Sequence, residues 1–321
     1  MKTTSDNIRG VSFLVMALLI FSLQNIAVKW IGGDYSVLEI VTFRSLIALP
    51  CTLLFYRLEG KRGLPTTQRH KLEYVRGFLL FLSYTTHFMG LAALPLADLE
   101  SIRFSGPLMI TFLSVVMLGE EVGPRRWLAL IVGCAGVVLV VRPCSETFSL
   151  GSIFILISVL FYALAVMLTR RLKTTDSSAT MAYYSSLVYL VAAFALAPLA
   201  LVVGETPDAH PSIAFLLRTW AMPTLQDWVI MSGLGLVWAG GMYCVARAYS
   251  LALASVAAPF EYLSLPINMM WGFVIWQEIP TLATLGGALL TLFSGMYVLR
   301  RERRERPVVE QLDSKTADWM E

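Results

Sequence analysis

The residues GVSFLVMALLIFSLQNIAVKWI, Gly10–Ile31, form an apolar segment long enough to cross a hydrocarbon core, which takes about 20 residues of helix. A cleaved signal peptide is the first alternative, because basic residues precede the segment. However, the apolar run Val11–Val28 exceeds the ~7–15 residues of a signal-peptide core, and no small-x-small cleavage site follows it. We therefore expect the segment to remain in the protein as its first membrane helix.

The composition of the chain is that of a membrane protein. Of its 321 residues, 57% are hydrophobic and 15% are charged, whereas soluble proteins carry about 25% charged residues. A soluble core does not need so much apolar sequence, so we expect the surplus to face lipid. The sequence predicts ten membrane helices: Gly10–Ile31, Val37–Tyr56, Leu72–Ala92, Ala97–Leu118, Pro124–Val141, Gly151–Thr169, Ser178–Val203, Leu225–Ala248, Ser255–Trp276 and Thr281–Leu299.

Lysine and arginine predict the orientation of these helices. With the amino terminus placed inside, 20 of the 25 lysines and arginines fall in the inside segments. The outside segments hold only Lys29, Arg142 and Arg218. The positive-inside rule assigns the basic side to the cytoplasm. We therefore predict a multi-pass protein of the inner (plasma) membrane, with both termini and the charged tail 302–321 in the cytoplasm.

The two halves of the chain share weak similarity that runs in the same order. The matched positions are Gly10 with Gly151, Lys29 with Arg170, Ser105 with Ser264, Pro107 with Pro266, Glu120 with Glu278 across a one-residue gap, and Gly136 with Gly295. Each half holds five predicted helices, and five is odd, so the second half enters the membrane from the opposite side. The predicted fold is all-α, with two inverted five-helix repeats over 10–142 and 151–301.

Two motifs give the repeats a family resemblance. Pro107 is followed by Leu-Gly-Glu-Glu at 118–121, and Pro266 is followed by Gln-Glu at 277–278. This pair resembles the doubled EamA module of the drug/metabolite transporter superfamily. The residues Ala-Pro-Phe-Glu-Tyr at 258–262 are similar to the branch that holds bacterial S-adenosylmethionine and riboflavin carriers. The resemblance implies ten helices and a secondary transporter for a small metabolite, such as a vitamin, an amino-acid derivative or a nucleoside-like solute.

Ionisable side chains within the predicted helices are the first candidates for a solute site. A charge in hydrocarbon costs a few kcal/mol unless it faces a cavity or a partner. Arg44 lies roughly 10 Å from the outer end of helix 2, and Glu100 shares a helix face with Arg103 at i, i+3 spacing. Amide and aromatic side chains add hydrogen-bonding and stacking groups. The residues predicted for substrate binding or gating are Arg44, Glu100, Arg103, Glu261, Tyr262, His87, Arg247, Asn25, Trp238 and Trp271.

These residues have a structural interpretation as well as a functional one. Charged neighbours such as Glu100 and Arg103, or Arg247 and Glu261, would neutralise each other as static pairs. Asn25 would form an interhelical hydrogen bond, and the tryptophans would pack against helices or lipid. The functional interpretation is a pair of gates that flank a site at the membrane midplane and close alternately.

Other classes of function have less support in the sequence. A membrane-embedded enzyme needs a catalytic motif, and the chain contains no HExxH, no paired aspartates and no GxxxxGK. A receptor or scaffold stays open, although neither requires an inverted repeat. The four cysteines are scattered singly, which indicates neither a disulfide nor a metal site. We expect no cofactor, metal or nucleic acid; the expected partners are a small-molecule solute, membrane lipid and, if transport is coupled, protons.

Overall fold

A computed structural model describes residues 4–32, 34–60, 62–118, 124–141, 149–172, 175–198, 202, 204, 210–251, 260, 263–290, 292–294 and 297. All regular structure within these residues is helical. The helices are α1 Thr4–Ile31, α2 Val37–Leu58, α3 His70–Leu91, α4 Leu96–Arg103, α5 Gly106–Leu118, α6 Pro124–Val141, α7 Leu150–Leu172, α8 Ser178–Leu196, α9 Pro211–Leu217, α10 Leu225–Leu251 and α11 Ser264–Trp276. Residues 282–290 are also helical and are labelled α12.

Five of the described helices are both long and apolar enough to cross a bilayer: Ile8–Ile31, Val37–Leu58, Leu150–Thr169, Ala179–Leu196 and Leu225–Val245. Large apolar side chains on the outside of the bundle stay exposed, as at Leu19, Leu54, Phe194, Val229 and Leu236. An exposed apolar surface of this extent is unfavourable in water and favourable in lipid. The described helices therefore have the surface of membrane-embedded elements.

Helical residues lie within each of the ten predicted segments, with two differences from the prediction. The predicted fourth helix is two helices, because α4 ends at Arg103 and α5 begins at Gly106. Pro107 has no backbone N–H to donate to the carbonyl of Arg103, so the helical hydrogen bonding is interrupted there. The second difference is α9, which lies between the predicted seventh and eighth segments and has a buried Phe215.

The helices pair in a regular pattern across the two halves of the chain. Extensive interfaces join α1 to α10, α3 to α7 and α2 to α8. Smaller ones join α2 to α10, α3 to α8, α4 to α11, α1 to α11 and α5 to α7. Each of these pairs takes one helix from residues 4–118 and one from residues 150–276. Much of the described core therefore lies between the two halves.

One end of the bundle, here the Lys29 end, holds the connection between α1 and α2. Arg218 donates to the carbonyl of Gly32 at 2.5 Å, and the phenol of Tyr35 donates to Asp227 at 2.7 Å. The second bond raises the pKa of the Tyr35 phenol, because it favours the protonated form beside a carboxylate. These contacts bind the α1–α2 connection to the segment that follows α9.

The opposite end, here the Arg76 end, holds the connection between α2 and α3. The hydroxyl of Thr67 donates to Asp176 at 2.9 Å, and Arg69 donates to the carbonyl of Arg171 at 3.2 Å. These bonds join the α2–α3 connection to the end of α7 and the start of α8. Successive long helices thus run between the two ends in alternating directions.

Candidate functional site

An ion pair closes the Lys29 end of the bundle. Lys29, in the last turn of α1, pairs with Glu278, which follows α11. The ammonium also donates to the carbonyl of Leu94 at 3.3 Å and lies 4.9 Å from the ring centroid of Trp276. The second oxygen of Glu278 accepts from the backbone N–H of Leu96 at 2.9 Å. One carboxylate therefore connects α1, α11 and the start of α4.

The end of α11 directs Glu278 toward this position. The helix ends at Trp276, and Gln277 adopts a left-handed backbone with φ 56°. The backbone N–H of Glu278 then donates back to the carbonyl of Gly272 at 3.1 Å. This is the hydrogen-bonded reversal by which many helices end, and it turns the carboxylate back toward the helix terminus.

Arg103 and Glu100 form a pair at the break between α4 and α5. Arg103 Nη1 donates to Glu100 Oε1 at 3.0 Å, the contact that their structural interpretation as a neutralising pair expects. The Glu100 side chain is 2% exposed and the Arg103 side chain is 43% exposed. Arg103 also lies within electrostatic range of Tyr84, His87 and Tyr162, which belong to the core helices α3 and α7. The Arg103 side chain is thus part-exposed while its carboxylate partner is buried.

Hydrogen bonds connect Glu100 to the second half of the chain. Glu100 Oε2 accepts from the hydroxyl of Ser264 at 3.2 Å. One turn later on α11, Asn268 donates to the carbonyl of Ser264 at 2.9 Å and accepts from Asn25 Nδ2 at 3.3 Å. The oxygen of Asn25 accepts from Nε2 of His87 at 3.4 Å. We call these residues, from Arg103 through Glu100, Ser264, Asn268 and Asn25 to His87, the polar path.

Aromatic rings adjoin the polar path on α3, α8 and α10. Tyr84 contacts Trp238 edge to face at 4.7 Å between centroids, and Tyr189 lies 5.6 Å from Trp238. Arg44 on α2 is fully buried among these rings. The guanidinium carbon of Arg44 lies 5.8 Å from the Tyr84 ring centroid, and Arg103 is within electrostatic range of the same residue. We call Arg44 with Tyr84, Phe88, Tyr189 and Trp238 the arginine cage.

A close helix contact positions the arginine cage. At Gly235 on α10, an added Cβ would lie 2.7 Å from the carbonyl oxygen of Arg44 and 2.6 Å from Cβ of Ile47. Distances this short require the absence of a side chain. Gly235 thus lets α10 approach α2 at Arg44, which brings Trp238, one turn later, over the guanidinium.

A second buried ion pair lies near the Arg76 end. Arg76 Nε donates to Thr169 at 2.7 Å, and Nη1 donates to the carbonyl of Met181 at 3.1 Å and to Ser185 at 3.0 Å. The same group lies 3.5 Å from a carboxylate oxygen of Glu73, which is fully buried. This arginine, on α3, therefore bonds through Nε and Nη1 to α7 and α8.

The structure brings most of the predicted site residues together. Asn25, His87, Glu100 and Arg103 belong to the polar path, and Arg44 and Trp238 belong to the arginine cage. Trp271 packs in the core and donates to Ser22 at 3.2 Å. Arg247 is exposed near the end of α10, and its guanidinium lies over the ring of Tyr243. This contact belongs to neither cluster. The predicted Glu261 and Tyr262 lie outside the described residues.

The sequence analysis missed several residues of these clusters as site candidates. They are Lys29, Glu278, Ser264, Asn268, Tyr84, Phe88, Tyr189 and, near the Arg76 end, Glu73 and Arg76. A signal existed for three of them, because Lys29, Ser264 and Glu278 are all positions at which the repeats match. Tyr84, Phe88 and Tyr189 carried no such signal, since aromatic residues are common in membrane helices.

Comparison with known proteins identifies the first half of the chain. Residues 8–142 match the model of the EamA-like transporter family. This chain contains an EamA domain. The match confirms the resemblance drawn from Pro107 and the residues that follow it.

Relatives of known name align with nearly the whole chain, well beyond the EamA domain. The S-adenosylmethionine uptake transporter of Rickettsia bellii is 25% identical over 295 residues, 92% of this chain and 94% of the relative. The pseudopaline exporter CntI of Pseudomonas aeruginosa is 28% identical over 299 residues, 92% and 97%. The riboflavin transporter of Vibrio cholerae is 26% identical over 309 residues, 94% and 97%.

The fold also occurs among solved structures. A protein of known crystal structure aligns with a TM-score of 0.61 at 16% identity, over 94% of this chain and 99% of that one. At that identity the match shows the fold alone. Together, the EamA domain and the apolar helices make this a multi-pass membrane protein that is similar to named transporters.

Proposed function

We propose that this protein is a secondary transporter that carries a small organic metabolite across the inner membrane by alternating access. The polar path carries the proposal, because it joins α1, α3, α4 and α11 from both halves of the chain inside an apolar bundle. Polar side chains at such depth mark solute or ion pathways. The relatives are named for S-adenosylmethionine, pseudopaline and riboflavin, which supports a metabolite as the solute and both import and export as directions.

The proposed architecture is two inverted five-helix repeats over 10–142 and 151–301. The helix pairing supports it. The first predicted segment of each half contains α1 or α7, and the third contains α3 or α10. The helix α1 pairs with α10, and α3 pairs with α7, so exchanging the two halves leaves the pattern unchanged. The same holds for the second segments, where α2 pairs with α8, and for the fourth segments, where α4 pairs with α11. Such exchange is expected when a two-fold axis in the membrane plane relates the repeats.

The proposed outer gate is the contact of Lys29 with Glu278. The pair joins α1 and α11 at the Lys29 end, and the N–H of Leu96 adds α4 to the same carboxylate. The positive-inside rule places this end outside, since the Arg76 end carries the basic connections. Separating Lys29 from Glu278 would release three helices at once, as alternating access requires.

Flux through purified protein tests the proposed function. Proteoliposomes would be assayed for uptake and counterflow of radiolabelled riboflavin, S-adenosylmethionine and amino acids, after a growth screen of vitamin and metabolite auxotrophs. Saturable counterflow of one solute is the expected result. Folded protein that moves none of the solutes but converts a lipid would instead assign it to the membrane-embedded enzymes.

Cross-linking tests the gate. In a variant without Cys51, Cys134, Cys144 and Cys244, cysteines replace Lys29 and Glu278 and are joined by a short cleavable bifunctional thiol reagent. We expect flux to fall to the level of empty liposomes and to return after reduction. The two single-cysteine variants, treated alike, are the controls. Full flux through the cross-linked protein would show that this end does not move during transport.

A further inference from the structure

Arg44 has no hydrogen-bond partner in the part of the chain that the structure describes. Its side chain is fully buried, and Nε, Nη1 and Nη2 all lack an acceptor. A guanidinium carries five N–H donors, and leaving charged donors unpaired in a buried site is costly. Arg76, equally deep in the bundle, bonds to three helices, so an arginine in this fold is able to find protein partners.

The surroundings of Arg44 are aromatic faces. The guanidinium carbon lies 4.5 Å from the ring centroid of Trp238, 5.4 Å from Tyr189, 5.6 Å from Phe88 and 5.8 Å from Tyr84. Ring faces attract a cation, by roughly 0.5–2 kcal/mol each, but they do not accept the hydrogen bonds of its N–H edge. The arginine cage therefore stabilises the charge and leaves the donors free.

Arg44 also forms none of the ion pairs found among the described residues. Glu100 pairs with Arg103, Glu73 with Arg76 and Glu278 with Lys29. Glu39, the other carboxylate of α2, lies five residues earlier, about 7 Å along the helix, and interacts with the backbone at Ser36 and Ala221. No described carboxylate therefore pairs with the Arg44 guanidinium, in an apolar environment where a counter-ion in contact is strongly favoured.

We propose that Arg44 binds an oxyanion of the transported solute, a carboxylate or a phosphate, and that Trp238, Tyr84, Tyr189 and Phe88 contact a flat unsaturated part of the same molecule. The planar fork of arginine matches both oxyanions through two parallel hydrogen bonds. The buried hydroxyl of Tyr189, which also lacks a partner among the described residues, supplies another donor beside it. The inference rests on the proposed transport function and names its substrate class: organic acids with a planar ring.

The proposal makes a prediction about stability that a structural arginine would not fulfil. If the guanidinium awaits a ligand, its unpaired donors make the empty protein less stable, and a neutral side chain of similar length relieves that cost. Arg44→Met should therefore fold with an unfolding temperature equal to or above that of the wild type. Arg57→Met, on the exposed last turn of the same helix, is the matched control.

Ligand-induced stabilisation tests the binding site directly. The unfolding temperature of purified full-length protein is measured with benzoate, nicotinate or phenyl phosphate, and with the neutral amides benzamide and nicotinamide. We expect the acids to stabilise wild type and Arg57→Met at concentrations at least about tenfold below any effect of the amides. Arg44→Met should show no preference for the acids. The larger increase in unfolding temperature, with benzoate or with phenyl phosphate, shows whether the site prefers a carboxylate or a phosphate.

Three results would overturn the inference: equal effects of acids and amides on wild type, an acid preference retained in Arg44→Met, or an Arg44→Met protein that does not fold. The last would show that the guanidinium serves the fold. These results are distinguishable from failure of the proposed function. If the protein transports a solute but is not stabilised more by the acids than by the amides, only the inference about Arg44 fails. If the acids stabilise it more but no solute is transported, only the transport proposal fails.

Discussion

At the scale of single residues, two buried arginines of the same bundle have opposite environments. Arg76 donates to Thr169, Ser185 and a backbone carbonyl, and lies beside the fully buried Glu73. Arg44 contacts ring faces and leaves its donors free among the described residues. The first finds acceptors on the neighbouring helices, whereas the second finds none among the described residues.

This contrast predicts opposite effects of the same substitution. Arg76→Met leaves the Glu73 carboxylate buried without its cation and removes donors from three neighbours. Breaking a buried pair in this way costs about 3–5 kcal/mol, so the unfolding temperature should fall by several degrees, whereas Arg44→Met should not lower it. Thermal unfolding in detergent measures both, with Arg57→Met as the control. Equal destabilisation at positions 44 and 76 would contradict the assignment of separate roles.

At the scale of helices, the sites form where two elements are interrupted or brought close. The α4–α5 break leaves Arg103 as the last residue of α4, because Pro107 removes a backbone donor to the Arg103 carbonyl. The approach of α10 to α2 at Gly235 sets the position of Trp238 over Arg44. Both features belong to the backbone, and each sets the position of a charged side chain relative to the neighbouring helices.

Gly235→Ala tests the role of this helix contact. The added Cβ would meet the Arg44 carbonyl and Ile47, neither of which is able to rotate away, so α10 must move from α2. Overpacking of this kind costs about 1–3 kcal/mol, and we expect a lower unfolding temperature and a weaker response to benzoate.

Gly233→Ala is the matched control, since it is on the same helix and its Cβ would meet nothing within 4 Å. The helix propensity of alanine should leave that variant as stable as the wild type or slightly more stable. Equal behaviour of the two alanine variants would show that the close approach at Gly235 has no effect on the cage.

At the scale of the whole molecule, the long helices run in alternating directions between two ends that differ in their residues and connections. The Lys29 end carries an ion pair, α9 and few basic residues, whereas the Arg76 end holds the basic α2–α3 connection. Transport in alternating access requires that each end open in turn while the other stays closed. The distribution of lysine and arginine then predicts which end meets the cytoplasm.

Reporter fusions measure this orientation. Alkaline phosphatase joined after Gly204 should be active, because that segment belongs to the Lys29 end, which we place outside. A fluorescent protein joined after Gly60 should fluoresce, because the α2–α3 connection lies at the Arg76 end. Exchanging the two reporters at the same positions provides the control. A cytoplasmic location of Gly204 would contradict both the predicted number of membrane helices and the inverted repeat.

Much of this protein was predictable from local sequence. Runs of about 20 apolar residues mark the helices, since every backbone group within hydrocarbon needs an internal partner. The motifs around Pro107 placed the first half in its family, as residues 8–142 confirm. The high cost of charge in lipid singled out Arg44, Glu100 and Arg103, and the i, i+3 spacing placed the last two on one helix face, where they form a pair.

Only the tertiary structure decided which of these residues meet. Lys29 and Glu278 are 249 positions apart, and Asn25 reaches Asn268 across 243. Helices that are apolar on every side give no sequence signal for which face turns inward, so the rotation of each helix, and hence its partners, is set by packing. The ring faces around Arg44 arise in this way from α3, α8 and α10. The sequence determined that Arg44 lies in the membrane, and the packing of three other helices decided that it lies there without a protein partner among the described residues.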